Sequence, residues 1–196
     1  MPHSRYFTLA QICKLGADVL TAHDRYKQKR KTQDAEFSVD RILYGVLFER
    51  FRSASKKTTQ SAVRQARVHP TRRHSGRIDF LVGGRKTGTF IELAVRTQSK
   101  LGGAYASQNR DEIRKLSKVP GRARYLLLID TTGNQLNSKN LYDSYAEVVP
   151  SRGRHRHRNC VVVVYLSSTG AGCSFTWEPD RPINDKTARL KTFELS

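Results

Sequence analysis

The sequence predicts an α/β domain built on one sheet, and three observations carry that prediction. RYLLLID (124–130) and CVVVVYLS (160–167) are continuous apolar runs rich in Leu and Val, as suits strands buried on both faces of a sheet. Residues 6–30 and 39–54 space their apolar side chains as helices do. RIDFLVGGRKTGTFIELAVR (77–96) alternates apolar and polar residues on either side of a glycine-rich turn, the pattern of a hairpin. At 196 residues the chain is expected to form a single domain, 1–196, with a sizeable core.

The first helix sets Ile12, Leu15, Val19 and Leu20 on one side and dissolves into the basic run KQKRKTQD. Ser38 can cap the second, VDRILYGVLFERFRSA, whose Ile42, Leu43, Val46, Leu47 and Phe51 fall on one wide face, with Glu49 near its end. Residues 55–76 are polar and basic and read as a loop or a weak helix. After the hairpin, Asn109 with Glu112 three residues on resembles a capping box for the helix RDEIRKLSKV. A short helix is expected around 138–146, between the two buried strands, and the tail from 178 on is weakly patterned.

The hairpin can be read residue by residue. Alternation puts Ile78, Phe80 and Val82 on one face and Arg77, Asp79 and Leu81 on the other; in the second strand Ile91, Leu93 and Val95 oppose Glu92, Ala94 and Arg96. A turn centred between Arg85 and Lys86 makes paired positions sum to 171, which sets Asp79 opposite Glu92. An odd slip would place apolar against polar residues and is disfavoured. Opposed side chains have Cβ atoms only ~5 Å apart, and like charges there are destabilising. Two converging carboxylates call for a cation, and oxygen ligands select a hard one, Mg²⁺ or Mn²⁺.

Charge points to the partner. Thirty-six Lys and Arg against 17 Asp and Glu give a formal +19, which attracts a polyanion, and nucleic acid is the commonest one. Arginine clusters in HPTRRHSGR (69–77) and SRGRHRHR (151–158), and its planar fork suits phosphate. Arg72, Arg73, His74, Arg77, Lys115, Arg152, Arg154, Arg156 and Arg158 are the expected contacts, with DNA favoured over RNA, no membrane partner and a homodimer left open. No apolar run approaches the ~18 residues needed to span a bilayer. The N-terminus lacks a signal peptide's apolar region, and three sparse cysteines argue against a disulfide framework, so a reducing, cytoplasmic location is expected.

Asp79, a hairpin, and then IELA with Glu92 resembles the PD-(D/E)XK, or restriction-endonuclease-like, nuclease superfamily. Its pattern is an acid on one strand and acid-x-lysine on the next, with a further Glu often supplied by a preceding helix, where Glu49 fits. The order helix, acid-bearing hairpin, helix, buried strand is also similar to that superfamily's core, over roughly residues 38–130. The resemblance implies a restriction-endonuclease-like mixed central sheet flanked by helices and a metal-dependent phosphodiesterase. Asp79 and Glu92 would bind Mg²⁺ or Mn²⁺, with the Leu93 carbonyl as a further ligand and Glu49 joining directly or through water.

The motif lysine should stand at position 94, and the chain has Ala94. Three readings are open. The lysine was replaced deliberately; its role migrated to Arg96, Lys100 or Lys115; or the domain is a decayed nuclease core that only binds nucleic acid. Arg96 stays charged and could offset charge but hardly act as a base. A different alternative is an ordinary hairpin whose acids pair with Arg77 and Arg96.

Other signals are weak. GGRKTG lacks the GK[ST] spacing of a phosphate-binding loop. His155, His157, Cys160 and Cys173 offer zinc ligands without any paired CxxC. No nucleophile signature assembles a hydrolase triad, and Tyr105, Tyr125, Tyr165 and Trp177 suit packing better than base stacking.

Overall fold

The computed structural model describes residues 8–29, 49, 62–67, 77–96, 109–146, 148, 159–179 and 190–195. In chain order these form α1 (Leu9–Lys29), β1 (Ala62–Arg67), β2 (Arg77–Val82), β3 (Thr89–Arg96), α2 (Arg110–Ser117) and β4 (Ala123–Asp130), then α3 (Ser138–Ala146), β5 (Val161–Ser167), β6 (Ala171–Trp177) and β7 (Lys191–Glu194). All seven strands lie in one sheet in chain order. β1, β2 and β3 form an antiparallel meander. β3, β4 and β5 then run parallel, and β6 and β7 close the far side antiparallel. The protein is therefore α/β with a mixed sheet.

Helices cover both faces. α1 begins at a capping box: the Gln11 N–H donates to Thr8 Oγ1 at 3.3 Å, and the Thr8 N–H donates to Gln11 Oε1 at 2.8 Å. Its Ile12 and Leu20 are buried in a cluster with Phe80, Val82, Ile91, Leu93, Leu127, Ile129 and Leu166. Gly16 lets the helix approach closely, because a Cβ there would collide with the Leu166 side chain. On the opposite face Ile113 and Leu116 of α2 and Leu141 and Tyr145 of α3 pack with Leu126, Leu128, Val163, Phe175 and Trp177. Tyr125, Tyr165 and Trp177 are core residues, and the Trp177 indole donates to the Val148 carbonyl at 3.2 Å. Among the described residues no helix is long and apolar enough to cross a membrane.

Four features depart from, or go beyond, what the side-chain pattern declares, each for an identifiable reason. β1 lies within the stretch read as loop or weak helix; as the first strand of the sheet it gains its order from backbone pairing to β2, which AVRQAR hardly advertises. β6 carries small and polar residues, Gly172, Ser174 and Thr176, and is recruited by pairing to the strongly apolar β5. β7 likewise forms in the weakly patterned tail by pairing to β6. Strict alternation in β2 also breaks, because Phe80 and Val82 join the α1 cluster while Ile78 joins the opposite one.

The hairpin register is as the turn centre predicts: Phe80↔Ile91, Leu81↔Phe90 and Val82↔Thr89 all sum to 171. Gly83 turns the chain at φ 92°, and the Gly88 N–H donates to the Gly84 carbonyl at 2.6 Å. A Cβ on Gly88 would lie 2.6 Å from both the Gly84 and Val82 carbonyl oxygens, which are backbone and cannot swing aside. Gly88→Ala is accordingly expected to destabilise the fold by ~1–3 kcal/mol, the usual cost of overpacking, as read from the midpoint of urea unfolding. An unchanged midpoint would mean that the turn relaxes freely.

Candidate active site

The acid pair stands where the sheet begins to part. The β2–β3 ladder reaches Phe80↔Ile91, while β2 continues along β1 as far as Arg67↔Arg77. One residue beyond, Asp79 Oδ2 accepts the Leu93 N–H at 3.0 Å, so a carboxylate takes a backbone donor of β3. This bond fixes the Asp79 carboxyl beside Glu92, to which it is also hydrogen-bonded. The two acids therefore meet as the register implies.

Glu92 is 2% exposed. Burial first, then the charge and hydrogen bond of Asp79, push its pKa up to about 10, with Lys115 opposing and Glu112 adding to the rise. Glu92 thus holds its proton at neutral pH, since a buried carboxyl beside a second acid is costly to ionise.

The cation at this site comes from α2. Lys115 Nζ lies 2.5 Å from Glu92 Oε1 and 2.5 Å from Glu112 Oε2. Burial pulls the Lys115 pKa down, but Glu92 and Glu112 outweigh it, and the net shift is upward. α2 is held over β3 at its apolar face and at its end. Ile113 and Leu116 are fully buried. The Asn159 side chain donates to the Val119 carbonyl at 3.0 Å and its N–H to the Ser117 carbonyl at 3.0 Å, and Arg124 Nε donates to Val119 at 2.9 Å. The capping box expected at this helix does not form. Asn109 makes no side-chain cap bond at φ −91°, ψ 3°, and the Glu112 carboxylate is turned to Lys115 instead.

Arg96 is directed elsewhere. Its Nη1 donates to Asp130 Oδ2 at 2.6 Å and to the Asn134 carbonyl at 2.5 Å, and the side chain is buried. Asp130 Oδ2 also accepts the Tyr165 hydroxyl at 2.7 Å, and Oδ1 accepts the Thr132 hydroxyl at 2.7 Å. Arg96, named above as a catalytic candidate and as a partner of the hairpin acids, thus closes a buried brace across the ends of β3, β4 and β5. Ala94 is half-buried and packs against the cluster that contains Ile113 and Leu116. Space for a lysine stem at 94 is consequently less open than the small side chain suggests.

Glu49 is helical, as expected, and exposed; the other residues of 39–54 lie outside the described residues. Lys100, Arg72, Arg73, His74, Arg152, Arg154, Arg156 and Arg158 also lie outside them, as does the Arg77 side chain. Among the described residues no group of three or more His, Cys, Asp or Glu stands ready to hold a metal. The residue that sequence reasoning missed is Glu112. Its signal was the i,i+3 spacing to Lys115, which places both on one face of a helix.

The raised pKa of Glu92 fixes a pH dependence. A carboxyl whose folded pKa lies above its unfolded value contributes stability fully below about 4.5 and loses it as pH rises toward about 10. Glu92→Gln mimics the protonated form, so without divalent metal its melting temperature relative to the parent should rise steadily from pH 5 to pH 9. A difference independent of pH would show that Glu92 is ionised throughout. Arg96→Ala leaves Asp130 buried without its cation and is expected to cost ~3–5 kcal/mol in urea unfolding, whereas a solvent-exposed pair would cost under ~1.

In comparisons with protein-family models, with curated proteins and with solved structures, the chain matches none, and the chemistry of the site follows from its own residues.

Proposed function

We propose that the protein is a metal-dependent phosphodiesterase acting on nucleic acid, DNA before RNA, with a restriction-endonuclease-like core. The single observation that carries this reading is the Lys115 ammonium 2.5 Å from Glu92, delivered by the helix after β3 while the strand itself offers only Ala94. Of the three readings of Ala94, this favours migration, and among the three migration candidates it favours Lys115. The order α1, antiparallel β1–β2–β3, α2 and parallel β4 agrees with the core that the acid-x-lysine pattern implies.

The residues fit a hard divalent cation. Asp79 and Glu92 present carboxyl oxygens that share a proton in a desolvated site, and a cation can take that proton's place. Mg²⁺ needs only one or two carboxylates when substrate phosphates complete its shell. Glu49 and the Leu93 carbonyl are further donors in this reading. When bound, such a cation would polarise a phosphoryl oxygen and make water a better nucleophile.

The remaining chemistry belongs to the side chains. Asp79 is fixed by the Leu93 N–H, so its oxygens stay aimed at Glu92. Lys115 remains charged at neutral pH and so acts as an electrostatic stabiliser of the phosphate rather than as a base. The +19 charge concentrates the polyanion, with the 69–77 and 151–158 clusters as the phosphate contacts of this reading. A non-catalytic binding module on the same core is the rival reading, favoured by Ala94.

Mg²⁺-dependent cleavage of duplex DNA separates the two. The protein as it stands should cut, Lys115→Ala should lower kcat ~10²–10³-fold, and Ala94→Lys should add little. No cleavage of any DNA or RNA by the protein or by Ala94→Lys, with Mg²⁺ or Mn²⁺, would leave the binding module. Either way, if ~6 phosphates are neutralised, affinity for duplex DNA should fall ~10³-fold between 50 and 200 mM salt, and flat affinity would remove the electrostatic basis of binding.

A further inference from the structure

The geometry points to Glu112 as a positioning residue that holds the Lys115 ammonium over the acid pair once a cation occupies Glu92; this inference rests on the phosphodiesterase reading. Lys115 reaches the site on a four-carbon stem with many rotamers, and a charge that stabilises a phosphate must be fixed before the phosphate arrives. Two carboxylates fix it: Glu92 Oε1 and Glu112 Oε2, each 2.5 Å from Nζ. They are not equivalent. The Glu92 oxygens are the ones a divalent cation would take, and that cation would also repel the ammonium. Glu112 lies outside the acid pair, on the same helix three residues before Lys115, and its side chain is 34% exposed. It is the anchor that survives metal loading.

A second observation excludes the ordinary role for this residue. A glutamate at the third helical position commonly reaches back to cap the helix. The Thr8–Gln11 pair of α1 does so, whereas at α2 the Asn109 side chain makes no cap bond and Glu112 faces Lys115. The helix also carries its own control. Asp111 pairs with Arg114 at 2.6 Å with the same i,i+3 spacing, but the Asp111 side chain is 83% exposed. A general effect of charge or helix stability would appear equally in Asp111→Asn.

The test has two independent readouts, both on the intact chain. In Mg²⁺-dependent cleavage, Glu112→Gln should lower kcat about tenfold with KM for DNA unchanged, Glu112→Asp should recover part of the loss, and Asp111→Asn should match the parent. In the second, Lys115 is labelled with trinitrobenzenesulfonate in the Mg²⁺-loaded protein without DNA and read by peptide mass spectrometry. Glu112→Gln should raise that rate about threefold, because the ammonium loses its remaining anchor. An unchanged labelling rate, a kcat equal to the parent's, or an equal loss in Asp111→Asn overturns the inference. If neither the parent nor Ala94→Lys cuts, the phosphodiesterase reading fails and labelling alone decides whether Glu112 holds Lys115.

Discussion

A carboxyl group buried in the middle of a sheet has to be offset by its neighbours, and Glu92 sets that requirement for this protein. A lone carboxylate removed from water is costly enough that such a group shifts its pKa, finds a cation, or both. Glu92 does both, through a hydrogen bond to Asp79 and an ion pair with Lys115. Each solution constrains a different element. Asp79 must lie where β2 leaves β3, so that its carboxylate can also take the Leu93 N–H. Lys115 requires α2 to cross β3 with Ile113 and Leu116 buried beneath it, and the tethers from Asn159 and Arg124 keep the end of that helix in place.

The chain contains a second buried ionic system, and the contrast between the two separates structure from function. Around Asp130 both carboxylate oxygens are occupied, by Arg96 and Tyr165 on one and Thr132 on the other. These partners fix the Asp130 carboxylate in one geometry across the strand ends. The Glu92 system instead holds an exchangeable proton and a lysine shared between two carboxylates, which a cation could rearrange. Fixed pairs of the first kind specify a fold, whereas poised pairs of the second kind are characteristic of reactive sites.

Ala94 gains a physical meaning beside α2. It packs, half-buried, against the core cluster to which Ile113 and Leu116 of α2 also belong.

Elements with strong side-chain patterns, and the approach of the two acids, are legible in the residues alone. α1, α3, β4 and β5 declare themselves by helical spacing or by continuous Leu and Val. A turn centred after Arg85 predicts the observed ladder, and Asp79 lies beside Glu92 even though β2 departs from strict alternation at Ile78. The tertiary structure decided what depends on long-range pairing. β1, β6 and β7 are strands because a neighbour supplies their hydrogen bonds, not because their residues favour it. Arg96 meets Asp130 only because parallel β3 and β4 end level, at the register Arg96↔Asp130. Whether Lys115 faces the acids or the solvent depends on how α2 rotates onto the sheet, and a helix's rotation is fixed by the packing of Ile113 and Leu116, which spacing can permit but not choose.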